Sequence, residues 1–142
     1  MKNPIEHLSL ASPLHLLRSL IFSFSRRVER KSVSTAYLGL ASYMDFRSSL
    51  RAKAGSKIIF QDEGFLVFGM ERSSFRHWAR PACFYLRENA TLEINGYNQI
   101  GRGSLIWILD NGRITLNGAT TNGQNKIIAK QHVSIGQGCQ IA

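Results

Sequence analysis

The chain has 142 residues, with 18 Lys and Arg against 9 Asp and Glu, and 44% of its residues are apolar. That length suits one ordinary domain, and the apolar share excludes whole-chain disorder. Two cysteines, Cys83 and Cys139, exclude a disulfide framework and a four-cysteine zinc site, so a reducing, cytoplasmic setting is expected. The net charge of +9 points to an anionic partner: nucleic acid, an acidic membrane face or a phosphate-bearing small molecule.

Charge and glycine are unevenly placed. Residues 1–90 hold 14 of the 18 basic residues and 7 of the 9 acidic ones, whereas residues 91–142 hold 4 and 2 but carry 8 of the 12 glycines. The back is also rich in asparagine, with Asn95, Asn98, Asn111, Asn117, Asn122 and Asn125. No zinc-finger spacing, aromatic RNA-binding signature or helix-turn-helix accompanies the basic residues, so a nucleic-acid partner is not expected.

The most apolar stretch runs from Pro13 to Phe24. It is interrupted by Arg18 and falls short of the roughly 20 apolar residues that cross a bilayer. Glu6 and the lack of a small-residue cleavage site argue against a secretory signal. Leu14, Leu17, Ile21 and Phe24 recur at helical spacing, and Arg26, Arg27, Arg30 and Lys31 follow. Packed amphipathic helices are the commoner kind, so this stripe is expected to pack on the domain. The alternative is peripheral contact of the basic N-terminus with the inner face of a membrane.

From residue 56 the texture becomes strand-like. Ser56–Phe60 and Phe65–Phe68 are short β-rich runs, joined by Gln61-Asp62-Glu63-Gly64 in a hairpin-like or coil-corner connection. Residues 71–81 read as a polar, basic loop in which His77 lies among Arg72, Arg76 and Arg80, an anion site if it is not simply a solvated loop.

The last third repeats. Ile94, Ile100 and Ile106 recur every six residues, with Gly101 and Ser104 at the second and fifth places of one hexad. Ala129, Ile135 and Ile141 keep the same interval, and a second column runs Ile127, Val133, Cys139. A six-residue period excludes an α-helix and fits a coil of short strands, each sixth residue pointing into a narrow core, with Gly or Asn at the corners. Ile106 and Ala129 are 23 apart, one short of four hexads, so register must break within 107–128, at Asn111-Gly112 or Thr121-Asn122-Gly123.

These hexads, from Ile94-Asn95-Gly96 through Ile100-Gly101-Arg102-Gly103-Ser104 to Ile127–Ala142, resemble the hexapeptide-repeat acyltransferases, nearest the O-acetyltransferases of bacterial surface-polysaccharide synthesis. The resemblance implies a mainly β fold, a left-handed parallel β-helix incomplete at its C-terminus and preceded by a short helical segment. The period itself does not set that handedness. Residues 1–55 would form the basic helical extension, and 56–142 the N-terminal part of the β-helix domain.

The family likeness also implies a homotrimer that moves an acetyl group from acetyl-CoA, as cosubstrate, to a hydroxyl of a saccharide or lipid-linked sugar, with no metal. A histidine acting as general base would follow the region resembling Ile135–Ala142, within an Asp-x-x-His-like segment. None of Asp45, Asp62 and Asp110 has a His three places later, so the expectation is an amino-terminal portion of a longer enzyme, ending before that histidine. A non-catalytic β-solenoid scaffold or interaction module is the rival reading.

Of the four histidines, His7 and His15 read as surface or interface residues, and His132 is the one inside the repeat. Preceding the inward Val133, His132 should point outward, and it is the one candidate base within the chain, without a matching motif or an acidic orienter in sequence. Cys139 is expected in the core, Cys83 has no ligand partner at metal spacing, and Trp107 would cover a coil edge or a neighbouring subunit.

Overall fold

Strands of two to five residues, separated by corners of a few residues, cannot pair with their neighbours in sequence as hairpins. They pair instead with the strand three elements later. The computed structural model describes residues 13–30, 42–44, 47–61, 63–69, 81–121 and 124–141. Helix α1 (Pro13–Ser23) precedes β1 (Val28–Arg30), β2 (Ser42–Met44), β3 (Ser49–Ala52), β4 (Lys57–Phe60), β5 (Phe65–Phe68), β6 (Cys83–Leu86) and β7 (Thr91–Asn95). There follow β8 (Tyr97–Ile100), β9 (Leu105–Ile108), β10 (Arg113–Asn117), β11 (Thr120–Thr121), β12 (Lys126–Ala129), β13 (His132–Ile135) and β14 (Gln140–Ile141).

The strands form three parallel sheets, β1-β4-β7-β10-β13, β2-β5-β8-β11-β14 and β3-β6-β9-β12. Visiting three sheets in rotation, with every pairing parallel, is the arrangement of a parallel β-helix solenoid, in which each coil buries its apolar face only against the next. The connection at 61–64 is accordingly a coil corner, since β4 and β5 belong to different sheets. Among the described residues the stack begins at Val28, so the coil of β1 to β3 lies inside the 1–55 stretch that the sequence reads as an extension.

Most strands contribute two inward residues to one continuous core: Ile58 and Phe60, Leu92 and Ile94, Ile106 and Ile108, Ile114 and Leu116, Ile127 and Ala129. Ile94, Ile100 and Ile106, six apart, are fully buried on three successive sheets of one coil. Ile94 and Ile100 take the second inward position of their strands but Ile106 the first, in line with Ile127 and not with Ala129, so the six-residue interval crosses from one inward column to the other. Strict hexads do not persist. Ile94 pairs with Leu116, 22 positions on, and Ile106 with Ile127, 21 on. Ile106 and Ile114, the first inward residues of β9 and β10, are eight positions apart, because four residues, Leu109 to Gly112, make the corner between the strands. Register is thus broken at the corner holding Asn111-Gly112, and again between β10 and β11, where the buried Leu116 and Thr121 are five apart; Asn122 and Gly123, in the other place named for it, lie outside the described residues.

That corner belongs to a stack. Gly55, Asn89 and Asn111 all hold left-handed φ angles of 68°, 55° and 58°. Asn89 N–H donates to Ala54 O, and Asn111 N–H to Glu88 O, while the Asn89 amide donates to Asn111 Oδ1. Asparagine tolerates this conformation because its short side chain bonds locally. At the first level glycine is needed for space as well, since a Cβ there would lie 2.1 Å from Asn89 Oδ1.

Cys139 stands at the inward register of Ala119, whose neighbour Thr120 pairs with Gln140, yet it is exposed and not in the core. Its coil, containing β13 and β14, is covered by described strands on one side only, unlike that of Ala119. The inward columns of the sequence set direction, and burial needs a coil on each side.

Helix α1 packs with Phe22, Ser19 and Ser23 inward. Phe22 joins the aromatic filling of the early coils, edge-on to Phe60 and stacked with Phe84, which itself stacks on Phe68 at 3.8 Å. Ser19 Oγ accepts from Met44 N–H at 2.8 Å, fixing the helix to β2. The stripe Leu14, Leu17, Ile21 and Phe24 that the spacing assigns to packing is exposed, so the helix is docked by its other face. The small Ser19 and Ser23 permit that close approach, which a count of apolar residues does not register.

Candidate functional site

The corners that follow β6, β9 and β12 lie one above another, joined by Arg87 N–H to Ile108 O and Leu109 N–H to Ala129 O, both 2.9 Å. The corner after β9 has four residues, and that after β12 has two, Lys130 and Gln131. The unequal corners border an open groove of about 800 Å³, lined by Arg87, Asp110, Asn111, Arg113, Lys130 and His132 among others.

Three of these side chains are cationic and one is anionic. Asp110 Oδ1 accepts from Arg87 Nε at 2.9 Å and from Glu88 N–H at 3.2 Å, so one carboxylate holds the guanidinium and the turn together. The bond to Asp110 raises the Arg87 pKa further above its ordinary value, keeping it charged throughout. Arg113, in register with His132, forms an ion pair with Glu93, a carboxylate that is almost fully buried. Lys130 is exposed at the groove's upper corner.

His132 is exposed on β13, as its place before Val133 requires. Its Nε2 shares a hydrogen bond of 3.3 Å with Thr115 Oγ1. Among the described residues, Asp110 of this groove is engaged with Arg87, and His132 is hydrogen-bonded to a hydroxyl, not to a carboxylate. The arrangement suits holding an anion of phosphate size against Arg87, Arg113 and Lys130. It also presents an imidazole with one nitrogen occupied.

Other sequence candidates fall elsewhere. His15 is half-buried on α1, its ring edge-on to Tyr43 at 6.2 Å, and is remote in the chain from the groove. His7, His77, Arg72, Arg76 and Arg80 lie outside the described residues. Cys83 is half-buried, with its thiol 3.5 Å from Phe84 O. Trp107 faces outward on β9, edge-on to Tyr85 of the preceding coil at 5.7 Å, so it covers a sheet of its own chain. Among the described residues no group of three His, Cys, Asp or Glu side chains is placed to hold a metal ion.

Sequence reading missed Arg87, Asp110, Arg113 and Lys130 as a group. The available signal was the register break at Asn111-Gly112, because an enlarged corner is what borders the groove. No protein-family model, curated protein or solved structure matches this chain.

Proposed function

We propose that this protein is an O-acetyltransferase-like β-helix protein, moving an acetyl group from acetyl-CoA to a saccharide hydroxyl in surface-polysaccharide synthesis. The reading includes left-handed hexapeptide coils, a homotrimer and a cytoplasmic setting. One observation supports it best: a parallel three-sheet stack carries a cationic groove on one column of corners, where the phosphates of acetyl-CoA have a complement in Arg87, Arg113 and Lys130.

In the reaction the sugar oxygen attacks the thioester carbonyl carbon, the C–O bond forms and the C–S bond breaks. A base takes the hydroxyl proton and returns it to the departing thiolate. The resemblance puts that base in an Asp-x-x-His-like segment, a pattern absent from these 142 residues. His132 is the imidazole the groove offers in its place.

The test is binding of CoA to the 142-residue chain, followed by release of free thiol when acetyl-CoA and a panel of saccharides are supplied. Saturable CoA binding that Lys130→Ala and Arg113→Ala weaken, with thiol release dependent on a saccharide, is the expected result. Full transfer by His132→Ala would remove that residue from the chemistry. Neither binding nor turnover would leave the non-catalytic solenoid scaffold, a reading favoured by the hydroxyl, and among the described residues no carboxylate, hydrogen-bonded to His132.

A further inference from the structure

Six large apolar side chains are exposed among the described residues, and five of them, Leu14, Leu17, Leu20, Ile21 and Phe24, are on or directly after α1. They are 44% to 65% exposed, Phe24 the most. At about 100° of rotation per residue they cover one continuous face, opposite Ser19, Phe22 and Ser23, which dock the helix on the coils. The patch is on the order of 500 Å², the upper end of what a monomeric soluble protein leaves in water.

The charge on and just after the helix is cationic, and the next carboxylate along the chain, Glu29, is paired with Lys57 at 3.0 Å. Residues 13–28 contain Arg18, Arg26 and Arg27 and no Asp or Glu. Arg18 lies at the edge of the apolar face, where its Nε donates to Ser48 O, and Arg26 is exposed one turn beyond the helix. The Arg27 guanidinium is tied to the backbone carbonyl of Lys53 at 2.6 Å, and Lys53 is itself exposed.

From this we infer that α1 is an in-plane membrane anchor, laying Leu14, Leu17, Leu20, Ile21 and Phe24 into an anionic lipid surface while the flanking arginines meet the headgroups. An apolar helix face with a cationic rim is the arrangement that binds such interfaces, and its strength comes from the two contributions together. A second copy of this chain is the poorer occupant. It would set two cationic rims against each other, and the patch falls below the roughly 800 Å² per partner of a standard interface. Among the described residues no helix is long and apolar enough to cross a membrane, so the anchor is one that lies on the surface.

The experiment is flotation of the 142-residue chain with phosphatidylglycerol–phosphatidylcholine vesicles and, separately, with phosphatidylcholine alone. It uses no acetyl-CoA, so its outcome is independent of the acetyltransferase reading. The expected result is co-flotation with the anionic vesicles only, reduced at least tenfold by about 0.5 M salt and by the combined Leu17→Ser, Ile21→Ser and Phe24→Ser variant. Because those side chains are exposed, the variant should keep the circular dichroism and thermal midpoint of the parent. A parallel measurement does not depend on that variant folding: Phe24→Trp emission, with the parent signal subtracted, should shift to the blue on anionic vesicles alone. Absence of flotation, equal flotation with phosphatidylcholine, or indifference to the triple variant would overturn the inference. So would a sedimenting mass that falls in the triple variant while the parent does not float, which would assign the face to a second copy.

Discussion

Asn98 is a polar side chain in the apolar column, fully buried where the preceding coil has Leu66. Its Oδ1 accepts Ala119 N–H at 2.8 Å, and its amide donates to Asn95 O at 2.9 Å and Gly96 O at 3.1 Å, clamping two coils at one corner. In Asn98→Ala both carbonyls keep another donor, Gly118 N–H on Asn95 O and Phe65 N–H on Gly96 O, but no other partner is evident for Ala119 N–H. An orphaned buried N–H costs about 1–3 kcal/mol and each lost bond about 1, so the variant should lose roughly 3 kcal/mol. For a chain of this size that lowers the thermal midpoint by roughly 10 °C, read by far-ultraviolet circular dichroism.

Asn98→Asp separates hydrogen bonding from volume. At neutral pH its carboxylate would still accept from Ala119 but would face two carbonyl oxygens, raising its folded pKa above the unfolded value of about 3.9. A raised carboxyl pKa makes the variant's stability best below that value and progressively worse as pH rises through the folded pKa. The deficit relative to the parent should be small near pH 3 and reach about 3–5 kcal/mol at pH 7. A midpoint for Asn98→Ala within about 2 °C of the parent, or a deficit for Asn98→Asp that does not vary with pH, would refute the argument.

Three further outcomes follow from the same geometry. Gly64→Ala places a Cβ 2.4 Å from Ile94 O, a backbone atom that cannot swing away, whereas Gly136→Ala meets nothing within 4 Å; the first should cost about 3 kcal/mol and the second stay within about 0.5, by thermal melts. Arg113→Ala removes the cation facing the nearly buried Glu93 and should destabilise by on the order of 1 kcal/mol at pH 7, most of which Glu93→Gln in the same chain restores. Burial holds the Tyr43 phenol above its ordinary pKa of 10.0. Its stabilising contribution is therefore intact below about pH 10 and lost as pH climbs through the folded value, so between pH 9 and 11 the parent's melting point should fall more steeply than that of Tyr43→Phe.

Ile94, Ile100 and Ile106 made one whole coil legible, because β-branched residues at a constant interval have no other simple explanation. The first coil carries no such mark. β1 and β2 have three residues each, Ser42 is buried beside Tyr43, and the space there is filled by Phe22, Phe60, Phe68 and Phe84 instead of a stacked aliphatic column. Asn98 reads as one more turn residue in an asparagine-rich segment, although it is the buried clamp of a strand. The groove was the least readable part. Arg87, Asp110 and Lys130 are about 20 residues apart in sequence, and only the register that stacks Ile108 on Leu86 and Ala129 on Ile108 brings their corners into contact.

The same register bears on how the chain reaches its fold. From Leu92 onward each strand finds its partner about 20 residues away, while β3 and β6 are joined across 34, as Leu50 pairs with Phe84. Closing the longer loop costs only about 0.4 kcal/mol more in chain entropy, since the cost grows with the logarithm of length. Order of assembly is then decided less by distance along the chain than by which coils have the better core to close upon. The aliphatic coils around Ile94, Ile106 and Ile114 are expected to form the nucleus, and the aromatic coils, finished by Phe22, to join it afterwards.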